Sequence, residues 1–196
     1  MVTPEHAAIR YLDCWIENDG PHHKALTRGS RDEALEAIGD IAALYRIARH
    51  FPSDDPEERF GHILDALRAR PRPTRQTLHD SVADMVRLMK RTQRRELLSA
   101  ATKFLWHYHK SPVVIHDDMV RKRLGTERGD YPEFERRWRK EYSLRKKGIA
   151  AACAQLHHVK QWSRSGGKLT DAEILSLSST PWFQERVFDF MIWLDR

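Results

Sequence analysis

The chain has 196 residues, 40% hydrophobic and 32% charged, with only nine glycines and nine prolines, which argues against disordered, collagen-like and membrane-spanning classes. A chain of this length buries roughly 70% of the surface its unfolded form exposes, so folding requires neither disulfides nor a structural metal. Thirty-four basic against 28 acidic side chains give a net charge of +6, and the surplus points toward an anionic partner.

Residues 4–18 put Ala8, Leu12, Trp15 and Ile16 on one helical stripe, which Asn18-Asp19-Gly20-Pro21 is expected to stop. Ser30 and Glu33 form a capping-box pattern ahead of a helix carrying Leu35, Ile38, Ile41, Leu44, Tyr45 and Ala48 on one face, halted by Pro52. Asp55-Pro56 opens the next helix, with Phe60, Ile63, Leu64 and Leu67 inward, and Pro71-Arg72-Pro73 ends it. Leu78, Val82, Met85 and Met89 continue the pattern to about Lys90, and Leu97, Ala101, Phe104, Leu105 and Tyr108 mark a helix that Ser111-Pro112 terminates.

Val113-Val114-Ile115 reads as an extended apolar connection, followed by Asp117 as N-cap of a helix ended by Gly125. Pro132 begins a long helix with Phe134, Trp138 and Tyr142, running to about His158 with an interruption expected at Gly148. A second capping box, Thr170 with Glu173, and then Thr180-Pro181 open the last two helices; the final one turns Phe183, Val187, Phe188 and Met191 inward. Hairpin signals are absent. The expectation is an all-α fold of roughly nine helices, with the Arg70–Arg75 stretch dividing a subdomain 1–72 from a subdomain 73–196.

Cys14 and Cys153 sit singly on apolar-periodic segments and read as reduced core thiols. The opening Met1-Val2-Thr3-Pro4-Glu5 lacks the regions of a signal peptide, and the apolar runs are far shorter than a membrane span. These features favour a cytoplasmic protein with no membrane partner.

The charge is concentrated. Residues 87–147 hold 18 basic and 8 acidic side chains, which leaves the rest of the chain acidic. Three runs stand out: Arg87, Lys90, Arg91, Arg94 and Arg95; Arg121, Lys122 and Arg123; and Arg136, Arg137, Arg139 and Lys140. They are the expected phosphate contacts of a nucleic-acid-binding face.

Within this region lies Ala101-Thr102-Lys103-Phe104-Leu105-Trp106-His107-Tyr108-His109-Lys110-Ser111-Pro112-Val113-Val114-Ile115-His116-Asp117-Asp118. Burial beside other cations lowers a lysine pKa, and a deprotonated amine can attack the C1′ of a nucleotide. A carboxylate from Asp117 or Asp118 would stabilise the oxocarbenium-like charge as the base departs. Trp106 and His109, three positions apart, share a helical face on which an extruded base could stack. The competing structural reading has Lys103 lying along a helix surface and Asp117 acting only as a cap.

A lysine near the start of an apolar helix, followed by a proline-initiated turn and a capping aspartate, resembles the helix-hairpin-helix DNA glycosylase superfamily, and within it proteins of the 8-oxoguanine-glycosylase-like fold. The likeness covers residues 75–155. It implies base excision from DNA without metal or cofactor, with Lys103 as nucleophile and Asp117 as catalytic carboxylate; Trp106, His109 and Asp118 are the candidate contacts to the base. Abasic-site lyase activity is implied as well. This chain departs from the family at Arg94-Arg95-Glu96-Leu97-Leu98-Ser99-Ala100, where the family's glycine-rich hairpin has no counterpart.

Two other readings use the same residues. A non-catalytic helical DNA- or RNA-binding module needs only the charge asymmetry. A metal phosphohydrolase resembling the HD superfamily would draw on His62, His79, Asp80 and Asp117. Glycine-rich phosphate loops and nucleophile-elbow motifs are absent.

Overall fold

A computed structural model of the chain describes residues 2–93 and 97–195. Among the described residues it is all-α, with ten α-helices and no strand. The chain forms two compact units, Gly20–His116 and a second built from Met1–Asp19 together with Asp117–Arg196. The boundary expected at residue 72 falls inside the first of these. The proline-rich stretch is a turn within the unit, because the apolar faces on either side of it find their partners there.

The Gly20–His116 unit contains α2 (Gly20–Arg28), α3 (Arg31–Leu44), α4 (Pro56–Ala69), α5 (Leu78–Gln93) and α6 (Leu98–His109). Helix α6 is its centre. Nine of its 12 residues are buried, and it packs on α2, α3, α4 and α5. Such all-round burial is what a helix without a polar face requires. Phe104 meets Phe51 and Phe60 at ring distances of 6.0 and 6.5 Å. The Ser30 capping box forms as the sequence indicates. After α6 the chain runs extended and buried through Val113, Val114 and Ile115, and the His116 amide donates to Thr102 Oγ1 at 3.0 Å.

The other unit contains α1 (Pro4–Cys14), α7 (Asp118–Leu124), α8 (Tyr131–Ala154), α9 (Asp171–Ser178) and α10 (Pro181–Leu194). Helix α1 packs against α8 and α10, with Tyr11 tilted against Phe183 and Phe190 at 4.8 and 5.1 Å. The core holds a polar network. Trp138 Nε1 donates to Asp189 Oδ1 at 2.6 Å and Arg186 Nη1 to Asp189 Oδ2 at 2.7 Å, while Asp19 lies 3.9 Å from Arg186. Burial pushes the Asp189 carboxyl up, against the opposing pull of Arg186. A third buried carboxylate, Asp13, accepts from Ser163 Oγ at 2.5 Å and the Ser165 amide at 3.0 Å.

Two sequence expectations change. The helix of residues 4–18 does not stop at Asn18-Asp19-Gly20-Pro21: a π turn spans Trp15–Asp19 and hands over directly to α2, the helix beyond the expected nine. Proline is excluded from helix interiors because its ring strikes the carbonyl four residues back. Here that carbonyl belongs to Glu17, inside the widened turn. Helix α8 also runs through Gly148 without a break. Both cysteines are free thiols as expected; burial, with Asp19 alongside, pushes the Cys14 thiol up, and burial pushes that of Cys153 up to about 12. No helix among the described residues is long and apolar enough to cross a membrane.

A Cβ added at Gly148 meets nothing within 4 Å, so Gly148→Ala should stabilise the protein by about 0.5–1 kcal/mol, read as a higher melting temperature. Arg186→Met should destabilise it by about 3–5 kcal/mol by leaving buried carboxylate without its guanidinium. Adding Asp189→Asn should recover part of that loss; a double variant less stable than Arg186→Met alone would contradict the charge argument.

Candidate nucleic-acid interface

Helix α8 begins at Asp130, whose side chain accepts from the Glu133 amide at 2.9 Å, with Pro132 in the first turn. Its apolar side, Phe134, Trp138, Tyr142 and Ile149, is buried. Helical periodicity therefore turns Arg136, Arg137 and Lys140 away from that core, while Arg145, three positions after Tyr142 and four before Ile149, lies at its edge. They border a cavity of about 580 Å³ that is also lined by Arg123 and Leu124 of α7, Glu141 of α8, and Phe188, Met191, Ile192 and Asp195 from α10 and its end. Five cations and two carboxylates thus surround a floor of apolar side chains.

The ion pairs are spread thinly. Glu133 is shared by Arg137 at 3.0 Å and Arg136 at 3.4 Å, Asp195 holds Arg123 at 3.0 Å, and Glu141 holds Arg145 at 2.5 Å. Among the described residues no carboxylate pairs with Lys140, which is exposed. Partly exposed pairs of this kind contribute little each, so an incoming phosphate can displace them.

The other predicted phosphate contacts are distributed differently. Arg139 is drawn to Glu135 and, at 3.5 Å, to Glu185, and does not line the cavity. Arg121 donates to Asp118 at 3.0 Å and to the Thr126 carbonyl at 2.7 Å, and Lys122 lies 3.6 Å from Asp118. Arg87, Lys90 and Arg91 belong to the Gly20–His116 unit, all exposed, with Arg87 paired to Asp84. Arg94 and Arg95 lie outside the described residues.

Lys103 is buried, 3% exposed, on α6; its Nζ donates to Ser99 Oγ at 2.7 Å and sits 4.9 Å from the centre of the Tyr45 ring. Trp106 is 1% exposed with its ring edge-on to His107, so it serves the core. His109 is also buried. None of the three lines the cavity described above. Asp117 caps α7, accepting from the Met119 amide at 2.9 Å, and belongs to the other unit. Asp118 is held by Arg121 and Lys122.

Sequence reasoning missed Arg145, Glu141 and Ile192; Phe188 and Met191, expected to turn inward, are buried and also line the cavity. The signal for the first two was the four-residue spacing Arg137, Glu141, Arg145, which continues the row by two turns. Among the described residues no group of three or more His, Cys, Asp or Glu is placed to hold a metal ion, and His62 instead contacts Thr92 Oγ1 at 3.1 Å. No protein-family model, curated protein or solved structure matches the chain.

The end of α6 carries a histidine relay. A carbonyl can only accept, so His107 Nδ1 donates to the Lys103 carbonyl and His23 Nδ1 to the His107 carbonyl, both at 2.8 Å. The second bond satisfies one of the carbonyls that a helix end leaves orphaned. Burial lowers His23 and His109 to about 4 each, with Lys110 and Arg72 respectively adding to the effect. A depressed histidine pKa favours the neutral form in the folded state. Stability from these rings is therefore complete above about pH 6.5 and is lost as pH falls toward 4. Acid denaturation should show a loss of roughly 2 kcal/mol per histidine across that window after allowing for part-exposed rings, and His109→Gln should flatten it.

Proposed function

We propose that this protein binds nucleic acid, DNA or RNA, through phosphate contacts made by the outer face of α8 and the end of α7. One observation carries the reading: five cationic side chains converge on a single cavity with only two carboxylates in its wall. Around that cavity, Glu133 divides its charge between two arginines, and Lys140 has no acidic partner among the described residues. Phosphate backbones bind such surfaces with release of condensed counterions, whatever the base sequence. The basic surplus of residues 87–147 supports the same reading.

Base excision by Lys103 is the second reading, and one observation favours it: the amine is withdrawn from water, the condition that promotes deprotonation. The Tyr45 ring opposes it, since a cation over an aromatic face is stabilised as the ammonium.

Fluorescence anisotropy over a range of salt concentrations tests the first reading. Binding should weaken steeply with salt, and Lys140→Ala should reduce the slope of log K against log salt by about 1, equally for unrelated sequences. Lys168→Ala, an exposed lysine on another segment, should leave the slope unchanged. A salt-insensitive complex, or an equal effect from both variants, would defeat the proposal. Borohydride treatment with an abasic-site duplex should yield no adduct; an adduct mapped to Lys103 would establish the excision chemistry instead.

A further inference from the structure

We propose that the cavity beside α8 receives an unpaired nucleotide, so that the protein favours single-stranded over duplex nucleic acid; this rests on the nucleic-acid reading above. A phosphate alone would use only half of the site. The cationic wall would be satisfied, but the half-buried Leu124 and Ile192, beside the buried Phe188 and Met191, would stay uncovered. Its volume of about 580 Å³ falls among sites that enclose whole small molecules. The occupant must therefore bring both an anion and an apolar surface.

The shape of the wall narrows the choice. Arg137, Lys140 and Arg145 lie on successive turns of one helix, spread over about 12 Å at 1.5 Å per residue. A row of separated cations suits a chain of repeated anions better than the single head group of an anionic lipid. A polynucleotide offers such a chain, and its bases supply the apolar faces. In a duplex those faces are stacked and paired, with only their edges open to the grooves. A single strand can turn one base out onto the floor while its neighbouring phosphates run along α8. Arg145 already lies with its guanidinium 5.9 Å from the Phe188 ring centre, where cation and apolar surface adjoin.

The test uses the full chain and three probes: an oligothymidylate, the abasic oligomer of the same sugar-phosphate backbone, length and charge, and a duplex of the same length, which carries twice the phosphates. At one salt concentration the oligothymidylate should bind on the order of tenfold more tightly than either of the others. Ile192→Gln, at a half-buried position at the C-terminal end of α10, should remove most of that preference. Equal affinity for the oligothymidylate and the abasic oligomer would overturn this inference while leaving phosphate binding intact. No binding of any probe would overturn the nucleic-acid reading itself. Displacement of bound oligothymidylate by laurate but not by thymidine monophosphate would assign the cavity to an amphipathic acid, against the inference. The wild-type comparison of thymidylate with abasic oligomer decides the matter even where the variant folds poorly.

Discussion

The orientation of α10 is fixed by a charge that would be intolerable alone. Asp189 is held within the core by the Trp138 indole and the Arg186 guanidinium, and Arg186 in turn lies over Tyr11 and Phe190, 5.5 Å from each ring centre. A buried carboxylate accepts only a narrow range of surroundings, so the helix cannot rotate without losing its partners. With Asp189 turned toward α8, the neighbouring positions Phe188, Met191 and Ile192 are committed to the cavity floor. The polar network and the cavity lining are two faces of one helix.

The cations owe their arrangement to the same geometry. Once Trp138 and Tyr142 stack at 5.3 Å in the core of this unit, Arg137, Glu141 and Arg145 follow one another at four-residue spacing along the flank of α8 that adjoins the core. Counting basic residues says that a patch exists; the helical phase decides which of them meet. Arg139 shows the distinction. It sits between Trp138 and Lys140 in sequence, yet turns toward Glu135 and Glu185.

Local chemistry was the readable part of the sequence. Both capping boxes, the Asp55-Pro56 start, the Asp117 cap and the left-handed Gly125 occur as their side-chain patterns indicate, because each depends on atoms within a few residues. The π turn at Trp15–Asp19 was illegible: Gly20-Pro21 carries the same stop signal whether the helix ends or widens, and the tertiary setting of Asp19 settles the outcome. Ala101, Phe104 and Leu105 left Lys103 between burial and a helix surface; it is buried, and its companion Tyr45 is on a distant segment. The cavity floor was unreadable for a related reason, since apolar residues facing a hollow have the same periodicity as those facing a core.

The order in which the chain leaves a ribosome gives the split unit a particular history. Gly20–His116 emerges as one uninterrupted stretch and can close around α6 early. Helix α1 precedes that stretch and waits for α10, because Tyr11 lies against Phe183 and Phe190. Until α10 is made its apolar stripe is bare, and transiently exposed apolar surface of this kind is prone to aggregate. The delay comes from connectivity alone and would persist however stable the finished protein became.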